Sequence, residues 1–202
     1  LLEGPEVRSE SRGRANHGTL VNGEQLPPHS GYVIRDEDMA WATNETVSYI
    51  MDAFDYMVSE HPRAPRVMMH DLSDHNGGRL SGHRSHQSGR DADIGLYQTR
   101  CSDNECPFRR VRASRLDVER EWDLISYWIR HDQVQYIFLD YSLQEPLYEY
   151  AQSQGASDSQ LREWFQYPSG RRSARGIIRH EPNHDDHIHV RFVCSDDDDE
   201  CR

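Results

Sequence analysis

Two stretches about 100 residues apart alternate apolar and chemically active side chains. From Asp91 to Tyr97, Ala92, Ile94 and Leu96 fall on one face and Asp91, Asp93 and Gly95 on the other. From His187 to Val193, Ile188, Val190 and Phe192 fall on one face and His187, His189 and Arg191 on the other. A period of two is the mark of a half-buried strand, because successive side chains leave opposite faces of a sheet. Both stretches therefore read as sheet, with carboxylates and imidazoles gathered on the polar face.

Helical periodicity appears elsewhere. Val47, Ile50, Met51, Phe54, Met57 and Val58 follow the i, i+3, i+4, i+7 rule, so a helix is expected over Thr43 to Ser59, ended by Pro62 and Pro65. A second is expected over Ser114 to His131, with Val118, Trp122, Ile125 and Ile129 on its stripe. Ser142 with Glu145, and Ser157 with Gln160, have capping-box spacing and open two more. Arg66 to Leu72 and Val134 to Leu139 read as strands, and Ser73 to Gly89 as a long Gly- and His-rich loop. Strands and helices mix without regular alternation, which gives an α+β fold: a small central antiparallel sheet with flanking helices and long loops. At 202 residues this is one domain, spanning 18–202 behind an aperiodic, polar arm at 1–17 that is expected to be mobile.

Charge narrows the partners. Lys and Arg total 23 against 35 Asp and Glu, a net of −12, which opposes nucleic-acid binding. Every basic residue is Arg, the side chain that meets carboxylates bidentately. The acidic run Asp196 to Glu200 reads as a solvated terminus. No run of 18 apolar residues is present, so no membrane span is expected. A homodimer is compatible with the sequence. The cysteines form two close pairs, Cys101 with Cys106 and Cys194 with Cys201. They are either two local disulfides in an oxidising compartment or four free thiols; their polar, charged surroundings favour disulfides.

The 12 histidines include two clusters: His83 and His86 before Asp93, and His184, His187 and His189 around Asp186. Imidazole and carboxylate are ordinary Zn²⁺ ligands, and three of them plus water make a catalytic site. His-x-His alone, or His-x6-Asp alone, is a weak signal that a solvated strand edge also produces. Their co-occurrence beside two strands is stronger. Gly89 lets the backbone turn so that His86 and Asp93 converge. Ser85 and Ser88 flank His86 but lack any nucleophile setting.

Gly18-Thr-Leu to Leu26-Pro27, Gly31-Tyr-Val, Gly82-His-Arg-Ser-His-Gln-Ser-Gly-Arg-Asp-Ala-Asp93 and Asp186-His-Ile-His-Val-Arg191 together resemble the penicillin-insensitive murein endopeptidases. These are a branch of the zinc peptidases grouped with lysostaphin, D-Ala-D-Ala metallopeptidases and sonic hedgehog. The resemblance implies one zinc ion held by His86, Asp93 and His189. It implies His187 as general base, with Asp186 and His184 as further candidates for moving the proton. His83, Arg84 and Arg191 are candidates for holding the substrate, and in that branch the match to His83 is sometimes a ligand. Cys194 and Cys201 fall where the branch has a local disulfide. The implied substrate is the D-Ala to meso-diaminopimelate cross-link of peptidoglycan, and the implied compartment is the periplasm, after loss of a signal peptide. Two rivals stand beside it: a zinc D,D- or L,D-carboxypeptidase on the same scaffold, and a zinc-stabilised peptidoglycan-binding module without catalysis.

Overall fold

A computed structural model describes residues 8–102 and 104–202. The chain opens with a hairpin, β1 (Glu10–Arg14) against β2 (His17–Val21). Next come β3 (Glu24–Gln25), β4 (Tyr32–Ile34), β5 (Trp41–Ala42), α1 (Asn44–Glu60) and β6 (Val67–Met69). A long loop leads to β7 (Asp91–Gly95), then α2 (Val118–Arg130), β8 (Val134–Phe138), α3 (Tyr141–Ser153), α4 (Asp158–Trp164), β9 (Ile178–Arg179) and β10 (His187–Phe192).

The expected α+β class holds. A six-stranded sheet in the order β4-β6-β7-β10-β8-β9 forms the centre. Its four middle strands are antiparallel, and each edge adds a parallel pair, β4 with β6 and β8 with β9. The inward residues of the two alternating stretches, Ala92, Ile94, Ile188, Val190 and Phe192, are all fully buried. Phe192 meets Trp128 of α2 edge-on at 5.6 Å, so this face of the sheet packs on the helices. The histidines and carboxylates take the opposite face, and loops cover it.

The helices begin where side chains satisfy their free N–H groups. Thr43 caps α1 by accepting from Thr46 N at 3.2 Å. Ser157 and Gln160 form the full capping box of α4. The third helix starts two residues earlier than its Ser142 box suggests. Asp140 is the cap, accepting from Ser142 N at 2.9 Å, and Pro146 lies inside the helix. Val58, expected on the apolar stripe of α1, stays 36% exposed.

Three further expectations meet the structure at the termini and cysteines. Part of the stretch read as a mobile arm, Glu10–Arg14, is β1; residues 1–7 lie outside the described residues. The acidic tail is not wholly solvated: Asp198 is buried and its Oδ2 accepts from Ser11 N at 3.0 Å. Gly13 N donates to Glu200 O and Arg202 N to Gly13 O, both at 2.9 Å, so the tail is stitched to the hairpin. Both disulfides form, Cys101 with Cys106 and Cys194 with Cys201. Among the described residues no helix is long and apolar enough to cross a membrane.

Candidate metal centre

Register builds the site. Strands β7 and β10 pair antiparallel with His189 opposite Asp93 and Arg191 opposite Asp91. A directly opposed pair brings two side chains of one face within about 5 Å at Cβ. His189 Nδ1 thus comes to 3.1 Å from Asp93 Oδ1. The third member arrives from the loop before β7. His86 adopts φ +64°, a left-handed conformation uncommon for a side chain of its size. Its backbone N donates to Asp91 Oδ2 at 2.8 Å, which fixes this turn. Gly89, at φ +71°, completes the bend; a Cβ there would fall 2.7 Å from Leu20 and 3.0 Å from Thr43 N.

His86 Nε2 then lies 3.2 Å from Asp93 Oδ1 and 3.2 Å from His189 Nδ1. His86 Nδ1 donates to Leu72 O at 2.7 Å, which assigns its proton to that nitrogen and leaves Nε2 bare toward the triangle. His189 Nε2 faces Asp91 Oδ1 at 3.2 Å. Asp91 in turn takes Arg191 Nε at 2.8 Å and Nη2 at 3.3 Å.

His83 stands at the open side. Its Nδ1 is 3.6 Å from Asp93 Oδ2 and its Nε2 is 2.9 Å from Asp71 Oδ2. His83, His86 and Asp93 offer ligand atoms within 4.8 Å of one another, a group that can hold a metal ion. On the other side, His187 Nε2 is 3.6 Å from Asp93 Oδ1, while Nδ1 is held by Asp186 Oδ1 at 2.5 Å. The His187 ring stacks on Phe108 at 5.3 Å, and His184 packs against His187 at 4.6 Å.

Electrostatics match the crowding. Burial pushes the Asp91 and Asp93 carboxyls up, but the neighbouring histidines outweigh it and hold both well below the usual range. Burial likewise works against His189, yet Asp91 and Asp93 raise it to about 9. Asp71 is held low against its burial by His70, His83 and Arg35, and the bond to Asp71 raises His83. His184 goes the other way, down to about 4, through burial and then the proximity of His187.

Eight of the nine residues singled out in the sequence thus gather at, or directly support, one site. The exception is Arg84, which is exposed beside the loop. Arg191 is present but turned inward, with its fork engaged by Asp91 rather than open to a ligand. The sequence reading passed over Asp71, Asp91 and Phe108. Asp91 carried a signal, since alternation put it on the face of Asp93. Asp71 and Phe108 lie in irregular segments and carried none.

A family model described as penicillin-insensitive murein endopeptidase matches residues 11–202. Comparison with curated proteins returns no match. The matched region contains every residue of the cluster, from Asp71 to Arg191. The chain belongs to the penicillin-insensitive murein endopeptidase family, whose members are hydrolytic enzymes acting on murein.

Proposed function

We propose that the protein is a zinc-dependent endopeptidase that hydrolyses the D-Ala to meso-diaminopimelate cross-links of peptidoglycan. One observation carries the metal. His86 Nε2, Asp93 Oδ1 and His189 Nδ1 form a triangle with edges of 3.1–3.2 Å. Donors at about 2.0–2.1 Å from a tetrahedral ion stand about 3.3 Å apart, so the triangle has the size of one face of that shell. The residues also fit chemically. Asp93 Oδ1 is buried with no hydrogen-bond donor, an orphan that a cation would satisfy. His86 and Asp93, with His189, would hold zinc; His83 Nδ1 borders the position opposite them.

Zinc bound there would act as a Lewis acid on a carbonyl oxygen and lower the pKa of a bound water. The chain's own residues supply the rest. His187 Nε2, aimed into the site because Nδ1 is tied to Asp186, takes the proton of the attacking water. It returns that proton to the departing amine nitrogen, which completes hydrolysis of the peptide bond. Asp186 orients the ring and stabilises it when charged. Phe108 lies flat against His187 and shields one face from solvent. His184 Nδ1 donates to Pro182 O at 3.0 Å, so its Nε2 is an acceptor beside the base. The oxidising compartment implied by two disulfides agrees with a periplasmic enzyme.

The test combines metal analysis with digestion of purified muropeptides. We expect one zinc per chain and conversion of cross-linked dimers to monomers. Monomers shortened while dimers persist would make the protein a carboxypeptidase instead. Zinc binding with no cleavage of either would leave a binding module.

A further inference from the structure

An arginine cluster lies next to this centre and takes no part in it. Gln98, Arg100, Arg109, Arg110, Arg112 and Arg115 line most of a cleft of about 410 Å³. The chain carries 35 acidic residues against 23 basic ones, so five arginines on one wall run against its overall charge. Among the described residues, Arg100, Arg109, Arg112 and Arg115 have no carboxylate within 4 Å, and Arg110 reaches only Asp185, at 3.5 Å. The surrounding backbone is braced. Cys101 is bonded to Cys106, Gln98 Nε2 donates to Pro107 O at 2.7 Å, and Gln98 is itself buried. The cleft is also joined to the catalytic face. Phe108, between this wall and the centre, stacks on His187, and Val111 N donates to Asp185 O at 2.6 Å. Asp185 and Asp186 immediately precede His187 in the chain.

We propose that this cleft is a subsite for the free carboxylates of the peptide substrate, gripping an acidic stem peptide while the scissile bond lies at the His86, Asp93 and His189 triangle. The inference rests on the peptidase reading above. Guanidinium groups are the natural receivers of planar carboxylates, through paired N–H donors. Several cations gathered in a concave site concentrate that attraction and make it sensitive to salt. Two arginines that adjoin the proposed ligands in the chain are already engaged within the fold. Arg191 is occupied by Asp91, and Arg90 is buried against Phe192 O and Arg202 O, each at 2.9 Å.

The experiment is calorimetric titration of the zinc-loaded protein with a synthetic tripeptide, L-Ala, γ-linked D-Glu and meso-diaminopimelate, and with the same tripeptide fully amidated. The acid should bind about tenfold more tightly than the amide, with the difference shrinking in high salt. In the double variant Arg112→Gln/Arg115→Gln the preference should vanish, and KM for cross-linked muropeptides should rise about tenfold. Arg162→Gln, on exposed α4, should leave both unchanged. Equal binding of acid and amide by the unaltered protein would overturn the subsite without reference to any variant, as would full discrimination in a folded double variant. Discrimination without cleavage of muropeptides would uphold the anion subsite and overturn the peptidase reading.

Discussion

Each histidine at the centre has its free nitrogen selected by a partner on the other side of its ring. His86 gives Nδ1–H to Leu72 O, His189 turns Nε2 toward Asp91, and His187 gives Nδ1 to Asp186. The partner decides which atom is left for chemistry, so changing it should act without removing a ligand. Asp91→Asn keeps an acceptor for His86 N but removes the charge that faces His189 and Arg191. We expect zinc affinity to fall roughly 10–100-fold, measured by competition with a chromophoric chelator, with the fold retained. His187 is different, because its nitrogen is assigned a proton rather than the ion. His187→Ala should lower kcat by roughly 10²–10⁴-fold while the zinc content stays at one per chain. A matching loss of zinc would place His187 among the ligands and take it out of proton transfer.

Strand register makes these residues a site, and register is where the sequence stops being informative. The alternation over Asp91–Gly95 and His187–Phe192 is visible in the chain, and so is the segregation of apolar from polar faces. Which strand lies beside which, and that His189 sits opposite Asp93, depends on pairing across 96 positions. The parallel edge pairs and the Asp140 cap were likewise hidden, the cap because Ser142 offered an equally good local signal two residues later. The loop before β7 was half legible. Gly89 announced a bend, but the left-handed turn at His86 depends on Asp91 reaching back to its N–H. That turn gives the loop its own prediction. Gly89→Ala places a Cβ in a left-handed residue and against Thr43 N and Leu20. It should cost about 1–2 kcal/mol in denaturant unfolding, from the backbone strain alone. Because His86 rides on the same turn, zinc affinity should fall with it.

At the scale of the whole molecule, charge is placed unevenly. The acidic excess lies outside, and part of it is used: Asp198 is drawn in against β1, which a reading of composition alone leaves in solvent. Away from the metal centre, one acid of α2 is fully internal. Glu121 of α2 is buried; its Oε2 accepts from Tyr97 N at 2.9 Å, while its Oε1 has no partner. Burial lifts its carboxyl to about 8, only partly opposed by the Tyr97 bond. In the unfolded chain the same group titrates near its ordinary value of about 4.3. Below that value both states are protonated and the folded protein carries no penalty. Between the two values the unfolded chain ionises while the folded one holds its proton, so unfolding releases a proton and stability falls as pH rises, by up to roughly 1.4 kcal/mol per pH unit. Above about pH 8 both states are ionised and the decline stops. The zinc ligands respond in the opposite sense at acid pH, since protonation removes them from the metal. The two effects separate in metal-free protein. There, unfolding free energy measured from pH 5 to 8 should fall more steeply in the unaltered chain than in Glu121→Gln, which retains the acceptor for Tyr97 N but has nothing to titrate; the decline that the raised His189 adds above about pH 6.5 is common to both. Parallel curves for the two would mean that Glu121 is solvated in the folded state and that its helix packs less tightly against the Tyr97 segment than its burial implies.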